Sequence, residues 1–247
     1  MQIHQYSIKS GYLNREVVLD TYFTEGTPKI LLLVNDGQDL AGMLTALPAG
    51  VMAAGIYAGT QRKQEYGTAG IPDYMGQGAL AEVYTRFVTE ELLPFLEAQY
   101  PSLYRQLKAF AGFSLGGLSA LDIAWHHPDI FQLAGVFSGA LWWRSRAVGP
   151  GYSDAQHRIM HQQIRSGEYH PGQQFFFECG TADETADRNN NGVIDSIDDT
   201  RDLINELLQK GYQREKDIFY IEIPGGRHDI TTWKSAMEVF LQLPFFH

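Results

Sequence analysis

Apolar residues follow two patterns along this chain, and the change between them comes near residue 29. Before that point, segments 3–10 and 16–24 alternate apolar and polar residues, which is typical of an antiparallel strand pair with one face in water. After it, short continuous apolar runs indicate strands that are buried on both faces of a sheet. These runs cover residues 29–34, 51–57, 107–112, 133–137, 175–179 and 218–223.

Amphipathic helical patterns separate the apolar runs. One carries apolar residues from Val83 to Phe95 and ends before Pro101; a second covers 115–127 and ends at Pro128. A third lies around 203–208, with Gly211 suited to its C-terminal cap, and the last spans 233–241. Buried strands alternating with helices predict an α/β fold with a mainly parallel sheet, helices on both faces, and functional loops at the carboxyl ends of the strands.

A nucleophile motif follows the strand predicted at 107–112. The sequence Gly112-Phe113-Ser114-Leu115-Gly116-Gly117 is a G-x-S-x-G motif between a strand and a helix, the context of the nucleophile elbow. The turn is so tight that side chains at Gly112 and Gly116 would collide with neighbouring backbone. Ser114 is therefore the candidate nucleophile, and a glycine-rich structural turn is the alternative.

A serine hydroxyl needs a base, and in this class the chain order is serine, acid, histidine. His228 alone among the histidines follows the last predicted strand, whereas His157, His161 and His170 are expected in a polar surface segment. The acid is expected after the strand at 175–179. Asp183 is the first choice there, and Glu184 and Asp187 are its rivals.

Two backbone N–H groups would stabilise the oxyanion formed during acyl transfer. Leu115, which follows the nucleophile, is expected to supply one. The segment after the strand at 29–34 is expected to supply the other, from Gln38 or, as second choice, Gly37; an ordinary Asx turn is the alternative reading of that segment.

The segment 187–198 has the spacing of a calcium loop. Oxygen-bearing side chains fall at loop positions 1, 3, 5, 9 and 12, with glycine at position 6, although aspartate replaces the usual final glutamate. The expected ligands are Asp187, Asn189, Asn191, Val193 through its carbonyl oxygen, Asp195 and Asp198. The spacing predicts a structural Ca²⁺ that fixes the segment carrying Asp183; a solvated polar loop is the alternative.

Composition narrows the possible partners. The formal net charge of −10 disfavours nucleic acid and anionic membranes as partners.

The single cysteine, Cys179, lies within an apolar run and is expected to be a buried strand residue. With no secretory pattern at its start and no apolar stretch of membrane length, the chain is expected to be cytoplasmic. One domain, 1–247, with the calcium-like loop as an insertion, is the simplest organisation.

These motifs resemble the esterase-D-like esterases of the α/β-hydrolase class, which include enterochelin-type esterases, feruloyl esterases and mycolyl-transferring antigens. The resemblance covers most of the chain from Leu31 onward. Its marks are segments 35–39 and 90–94, the elbow, and segments 137–139, 180–183 and 226–229 followed by Trp233. It implies hydrolysis of a small carboxylic ester through an acyl-serine intermediate, with no catalytic cofactor, in an open cleft.

The resemblance also suggests which residues could line the cleft. Trp142 and Trp143 would wall it or pack in the core, and Arg62 and Glu65 are expected to form a solvated loop pair. Three other functions remain open: acyl transfer with the same triad, peptide cleavage, and ligand binding by a degenerate hydrolase. The sequence leaves the ester and the oligomeric state undefined.

Overall fold

Eight strands form one sheet in the order β1-β2-β4-β3-β5-β6-β7-β8. The computed structural model describes all 247 residues. The strands are β1 Gln2–Ser10, β2 Arg15–Phe23, β3 Ile30–Asn35, β4 Val51–Ile56, β5 Leu107–Phe113, β6 Leu133–Phe137, β7 Gln174–Gly180 and β8 Ile218–Ile223. Strand β2 pairs antiparallel with β1 and β4, and β3 to β8 are parallel. The predicted α/β fold with its antiparallel N-terminal pair is confirmed.

Helices cover both faces of this sheet. They are α1 Arg62–Glu65, α2 Ala81–Arg86, α3 Leu93–Gln99, α4 Leu115–His126, α5 Asp154–His157, α6 Ile159–Ser166, α7 Asp195–Lys210 and α8 Ile230–Phe240. One buried cluster packs α2, α4, α6 and α7 against the sheet. A second cluster holds α8 and the 3-10 helix Gly37–Gly42 on the other face. Both faces of the parallel strands are therefore apolar, as their continuous apolar runs predict.

The structure differs from the predicted helices in several places. The helix predicted from Val83 to Phe95 contains a π-helical segment, Phe87–Leu92, between α2 and α3. Helix α6 was not predicted, and it buries His161, which was expected at the surface. The Gly37–Gly42 segment is a 3-10 helix instead of an isolated turn. Gly211 caps α7 with φ 111°, as expected.

No helix in the structure combines the length and the apolar character that crossing a membrane requires. Cys179 is fully buried on β7, and its thiol lies 3.2 Å from the Thr200 hydroxyl, in agreement with its prediction as a core residue.

Candidate active site

Ser114 lies in a strained turn between β5 and α4. Its φ of 54° and ψ of −121° are unfavourable for a residue with a side chain, and such strain is typical of a nucleophile elbow. A Cβ atom at Gly112 would lie 2.3 Å from the carbonyl oxygen of Gly116, so that position accepts only glycine. The turn is held by a hydrogen bond from the N–H of Ser114 to the carbonyl oxygen of Phe137 on β6 (2.9 Å).

Gly116 is required for a different reason from the one expected. A Cβ atom there would meet Oδ2 of Asp36 at 2.7 Å and Cβ of Asn35 at 3.0 Å, which belong to the segment after β3 and not to the elbow. The side-chain amide of Asn35 donates to the carbonyl oxygen of Gly116 (2.8 Å). This close approach brings the segment after β3 next to the start of α4.

The loops after β7 and β8 pack directly on each other through two glycines. A Cβ atom at Gly180 would lie 2.4 Å from the carbonyl oxygen of Gly226, and one at Gly226 would lie 3.0 Å from Cα of Gly180. The N–H of Ala182 donates to the carbonyl oxygen of Gly226 (2.8 Å). This backbone contact fixes the loop of the candidate acid against the loop of the candidate base.

Asp183 and His228 meet at this junction. Oδ2 of Asp183 lies 3.1 Å from Nδ1 of His228, and the carboxylate is 3% exposed, whereas the imidazole is 42% exposed. The rival acids have other hydrogen-bond partners. Glu184 accepts a hydrogen bond from the N–H of Ser196 (2.6 Å) at the start of α7, and Asp187 accepts from backbone N–H groups of its own loop. Of the three candidates, only Asp183 hydrogen-bonds to the imidazole.

The hydrogen bond to Asp183 raises the pKa of His228 above its usual value, and this effect outweighs the opposing effect of burial. The bond to Asp183 is the only side-chain hydrogen bond of His228. Ser114, Asp183 and His228 line one cavity of about 320 Å³, together with Ser138, Gly139, Ala140, Trp142, Glu184 and Ser196. No hydrogen bond joins Ser114 to His228.

Ser138 and Trp233 support the candidate acid, and the sequence did not identify either of them in this role. The Ser138 hydroxyl donates to Oδ1 of Asp183 (3.0 Å), and Nε1 of Trp233 lies 3.0 Å from the same hydroxyl. Because an indole N–H can only donate, the Ser138 oxygen accepts from Trp233 and its own proton is left for Asp183. The sequence feature that could have pointed to Ser138 is that this polar residue directly follows the apolar strand at 133–137.

Trp233 also joins the loop of the candidate base to the strand that precedes Ser114. Its ring stacks on Phe113 with centroids 5.1 Å apart and meets the His228 ring edge-on at 5.1 Å. Ser138 has a positive φ of 43°, which a non-glycine residue adopts only where the surroundings enforce it. The strain at Ser138 therefore accompanies a defined contact with Asp183.

Glu178 is a buried carboxylic acid next to this network. It lies on β7 and is 1% exposed, and neither carboxyl oxygen has a hydrogen-bond partner. Burial raises the pKa of Glu178 to about 8, and the negative charge of Asp183 adds to the increase. The sequence signal was a charged residue within the apolar run at 175–179, because such a residue is seldom fully buried without a partner.

The candidate oxyanion segment is anchored from α1. Asp36, with a left-handed φ of 59°, binds Arg62 through two hydrogen bonds of 2.6 and 2.7 Å. Glu65 is buried and pairs instead with Arg15 on β2 (2.6 Å). Arg62 and Glu65 therefore do not form the solvated pair expected from the sequence.

The backbone N–H of Leu115 and that of Gln38 donate to no group of the chain. The side-chain oxygen of Gln38 accepts from the N–H of Ala58 (3.2 Å), which fixes this residue to the end of β4. Gly37 is packed against Gly55, where a Cβ atom would lie 2.1 Å from the carbonyl carbon. Both candidate donor segments are thus rigid parts of the backbone.

The two neighbouring tryptophans have different environments. Trp143 is fully buried in the core, where its ring packs on Gly67 and Gly78. Trp142 is 36% exposed and lines the cavity that contains Ser114. The guanidinium of Arg144 lies 5.4 Å from the centroid of the Trp142 ring. Trp142 alone therefore has the placement expected of a cleft wall.

The structure does not support the predicted calcium site. No group of three or more His, Cys, Asp or Glu side chains lies close enough together to hold a metal ion. Donors of the chain itself occupy the carboxylates: Asp195 accepts from the Arg188 N–H (2.8 Å) and pairs with its guanidinium (3.2 Å). Asp198 accepts from the side-chain amides of Asn189 (2.9 Å) and Asn191 (2.7 Å). The segment has the residue spacing of a calcium loop, but these carboxylates are paired with Arg188, Asn189 and Asn191 of the same segment.

Comparison with models of protein families matches residues 33–242 to the family described as "Putative esterase". The iron(III) enterobactin esterase of Escherichia coli strain K12 is 27% identical over 165 residues, which are 65% of this chain and 36% of that protein. The chain thus spans about a third of the length of the curated relatives that it matches.

Solved structures share the fold. The enterobactin esterase of Shigella flexneri, crystallised with 2,3-di-hydroxy-N-benzoyl-serine, has a TM-score of 0.74 at 21% identity and covers 100% of this chain and 61% of its own. The siderophore hydrolase EstB of Aspergillus nidulans has a TM-score of 0.64 at 16% identity, over 96% of this chain and 93% of its own.

Proposed function

This chain belongs to the "Putative esterase" family and has the α/β-hydrolase fold, and from this membership we propose that it hydrolyses small carboxylic esters through an acyl-serine intermediate. Ser114 is the nucleophile, His228 the general base and Asp183 the acid that orients the base. The observation that carries the proposal is the contact between Asp183 and His228 at the cavity that also exposes Ser114.

The proposed reaction begins with removal of the Ser114 proton. Because Asp183 occupies Nδ1 of His228, Nε2 is left to accept that proton as the hydroxyl oxygen attacks the ester carbonyl. The resulting imidazolium is stabilised by the Asp183 carboxylate and then protonates the departing alcohol. A water molecule, activated by the same imidazole, releases the acid from Ser114.

The negative charge that develops on the carbonyl oxygen needs donors that are fixed in advance. We assign this role to the N–H groups of Leu115 and of Gln38, with Gly37 as the alternative to Gln38. The assignment is supported by the absence of any other acceptor for the first two groups and by the anchoring of their segments.

Covalent labelling tests the proposed nucleophile. A fluorophosphonate probe should label the wild-type protein and should fail to label Ser114→Ala, because only an activated serine reacts. Hydrolysis of nitrophenyl acetate should fall on the order of 10⁶-fold in the same variant. Ser235→Ala, which removes an exposed hydroxyl on α8, is the matched control and should keep both properties.

Loss of labelling in the control variant, or labelling that persists in Ser114→Ala, would contradict the assignment. If the probe labels Ser114 but added alcohols divert the acyl group in place of water, the protein is an acyltransferase with the same triad. Product analysis with and without an alcohol acceptor separates the two.

We further propose an ester with an aromatic group as the substrate. Trp142 offers a ring to the cavity of the proposed nucleophile. An adjoining cavity is lined by Tyr74, Trp142 and Arg144, together with Glu184, Ala186 and Asp195. Aromatic rings stack favourably on such surfaces. In a panel of nitrophenyl acetate and benzoyl or cinnamoyl esters, the aromatic acyl esters should have the lower KM. Trp142→Ala should abolish that difference and leave KM for the acetate within about threefold.

A further inference from the structure

Glu178 is the one buried carboxylic acid in this region that the proposed reaction does not use. It is almost fully buried, and no donor lies in hydrogen-bonding geometry to either carboxyl oxygen. An ionised carboxylate without a partner is strongly disfavoured in such a place, whereas a neutral carboxylic acid is tolerated. Geometry and burial therefore favour the protonated form.

Ser138 is the group through which Glu178 can act on the site. Ser138 adjoins Glu178, since its N–H donates to the main-chain carbonyl oxygen of Glu178 (2.9 Å). The Ser138 hydroxyl and N–H oppose the rise in the pKa of the Glu178 carboxyl group, although neither is in hydrogen-bonding geometry to a carboxyl oxygen. The Ser138 oxygen already accepts from Trp233, so its hydroxyl has one proton to donate. That proton goes to Oδ1 of Asp183. Two carboxyl groups thus adjoin a single donor.

Given the triad proposed above, we propose that Glu178 is a positioning residue: its neutral carboxyl group leaves the Ser138 proton to Asp183, and its ionisation draws that proton away. Loss of the proton leaves Oδ1 of Asp183 without its donor. The carboxylate is then free to turn, and the imidazole that depends on it loses its fixed orientation. The ionisation of Glu178 therefore lowers the activity of His228 as a base without any contact between Glu178 and the substrate.

The direction of the pH effect follows from the neighbouring charges. The ionisable groups that face Glu178 are Asp183, whose negative charge favours the neutral acid, and His228, whose positive charge opposes it. Ser138 on the β6 side and Trp233 on α8 do not titrate in this range. Because burial raises the pKa of Glu178 to about 8, the ionised form accumulates above that pH.

The test is the pH profile of kcat/KM for nitrophenyl acetate in wild type and in Glu178→Gln. The glutamine is nearly isosteric with the neutral acid and cannot ionise. Wild type should lose activity above pH 8, reaching about a tenfold loss at pH 9 if the ionised form is inactive. Glu178→Gln should keep its activity at pH 9. A wild-type decline that persists unchanged in the variant overturns the proposal.

Two further variants separate positioning from general damage. Glu184→Gln removes a carboxyl group that lines the cavity of Ser114 and whose pKa is also raised by burial, and it should retain the alkaline decline. Ser138→Ala removes the proton for which the two carboxyl groups compete. Adding Glu178→Gln to this variant should therefore leave the alkaline limb of its kcat/KM profile unchanged, and a further change in that limb overturns the proposal.

Fluorophosphonate labelling distinguishes this proposal from the proposed function. If the probe labels Ser114 at no pH, the serine-hydrolase mechanism fails; if it labels Ser114 but both profiles coincide, only the role of Glu178 fails. Should Glu178→Gln not fold, carbon-13 NMR of wild type labelled at glutamate carboxyl carbons decides. A buried carboxyl that titrates near pH 8 supports the proposal, and its absence overturns it.

Discussion

At the residue scale, the candidate base and acid act as one unit whose charge state can be measured. The hydrogen bond that His228 donates to the Asp183 carboxylate raises the pKa of His228, so the imidazole stays protonated to a higher pH than a free histidine. A protonated imidazole cannot accept the Ser114 proton. We therefore expect kcat/KM to fall on the acid side with an apparent pKa above 6.5.

Asp183→Asn should move this acid limb to lower pH, because the neutral amide no longer favours the imidazolium, and should lower kcat about 10⁴-fold. The measurement is the pH profile of kcat/KM. Asp187→Asn should leave the position of the limb unchanged, and Glu184→Gln should move it less than Asp183→Asn does, because the charge of Glu184 contributes less to the raised pKa of His228 than Asp183 does. If one of these controls moves the limb and Asp183→Asn does not, the acid has been misassigned.

Ser138 lends itself to a second substitution at this scale. Ser138→Ala keeps the Cβ atom at the strained φ but removes the hydrogen bond to the Asp183 carboxylate. A hydrogen bond to a charged group contributes about 1.5–3 kcal/mol, so kcat/KM should fall about 10- to 100-fold near pH 7. Trp233→Phe, which keeps the ring on Phe113 but loses the indole donor, should have a smaller effect. Wild-type activity in Ser138→Ala would contradict the positioning of Asp183.

The individual residues also show where sequence reasoning reaches its limit. Ser114 and His228 could be chosen as candidates because each follows an apolar strand within a glycine-containing segment that the sequence itself displays. Ser138 and Glu178 could not be assigned a role from the sequence. They lie 45 and 5 positions before Asp183, and only the folded sheet brings their side chains close to it. The contact network, not the residue type, identifies them.

At the element scale, strands were predictable and helix starts were less so. Predicted strand ends lie within one or two residues of the observed ones because buried parallel strands are continuous apolar runs. Helix α7, in contrast, begins at Asp195 inside the predicted calcium loop. Its first turn is capped by Glu184, whose carboxylate accepts from the N–H of Ser196. No local pattern in the sequence signals a cap that comes from eleven residues upstream.

Arg188 links the 187–198 segment to the starts of α5 and α7 through ion pairs. Its side chain is 10% exposed and pairs with Asp154 at the start of α5 and with Asp195 and Asp199 on α7. Arg188→Met should destabilise the fold by about 2 kcal/mol, less than the 3–5 typical of a broken buried pair, because Asp199 keeps its bond to Arg158 (2.6 Å). The melting temperature should fall by roughly 4–8 °C.

Arg188→Lys is the control for this substitution. It preserves the charge but lacks the planar fork that binds several carboxylates at once, so its melting temperature should lie between those of wild type and Arg188→Met. An unchanged melting temperature in Arg188→Met would show that the cluster does not stabilise the loop.

At the scale of the whole molecule, the candidate site makes folding stability depend on pH. Glu178 has a folded pKa of about 8 against an ordinary value of 4.5, so the folded state holds a proton that the unfolded chain releases. Stability is therefore lost as the pH rises from about 4.5 to 8. His228, whose folded pKa is also raised, stabilises the fold below its ordinary pKa and loses this contribution as the pH rises through the folded value. Both groups of the site act in the same direction.

Glu178→Gln removes the first of these contributions and leaves the second. The variant should gain stability relative to wild type by about 3 kcal/mol between pH 5 and pH 8, with no further gain above pH 8. Denaturant unfolding at pH 5, 6, 7, 8 and 9 measures this difference directly. A gap between the two proteins that is constant over this range would mean that Glu178 is not neutral in the fold. A gap that widens as expected would mean that wild type retains a destabilising acid beside its candidate catalytic residues.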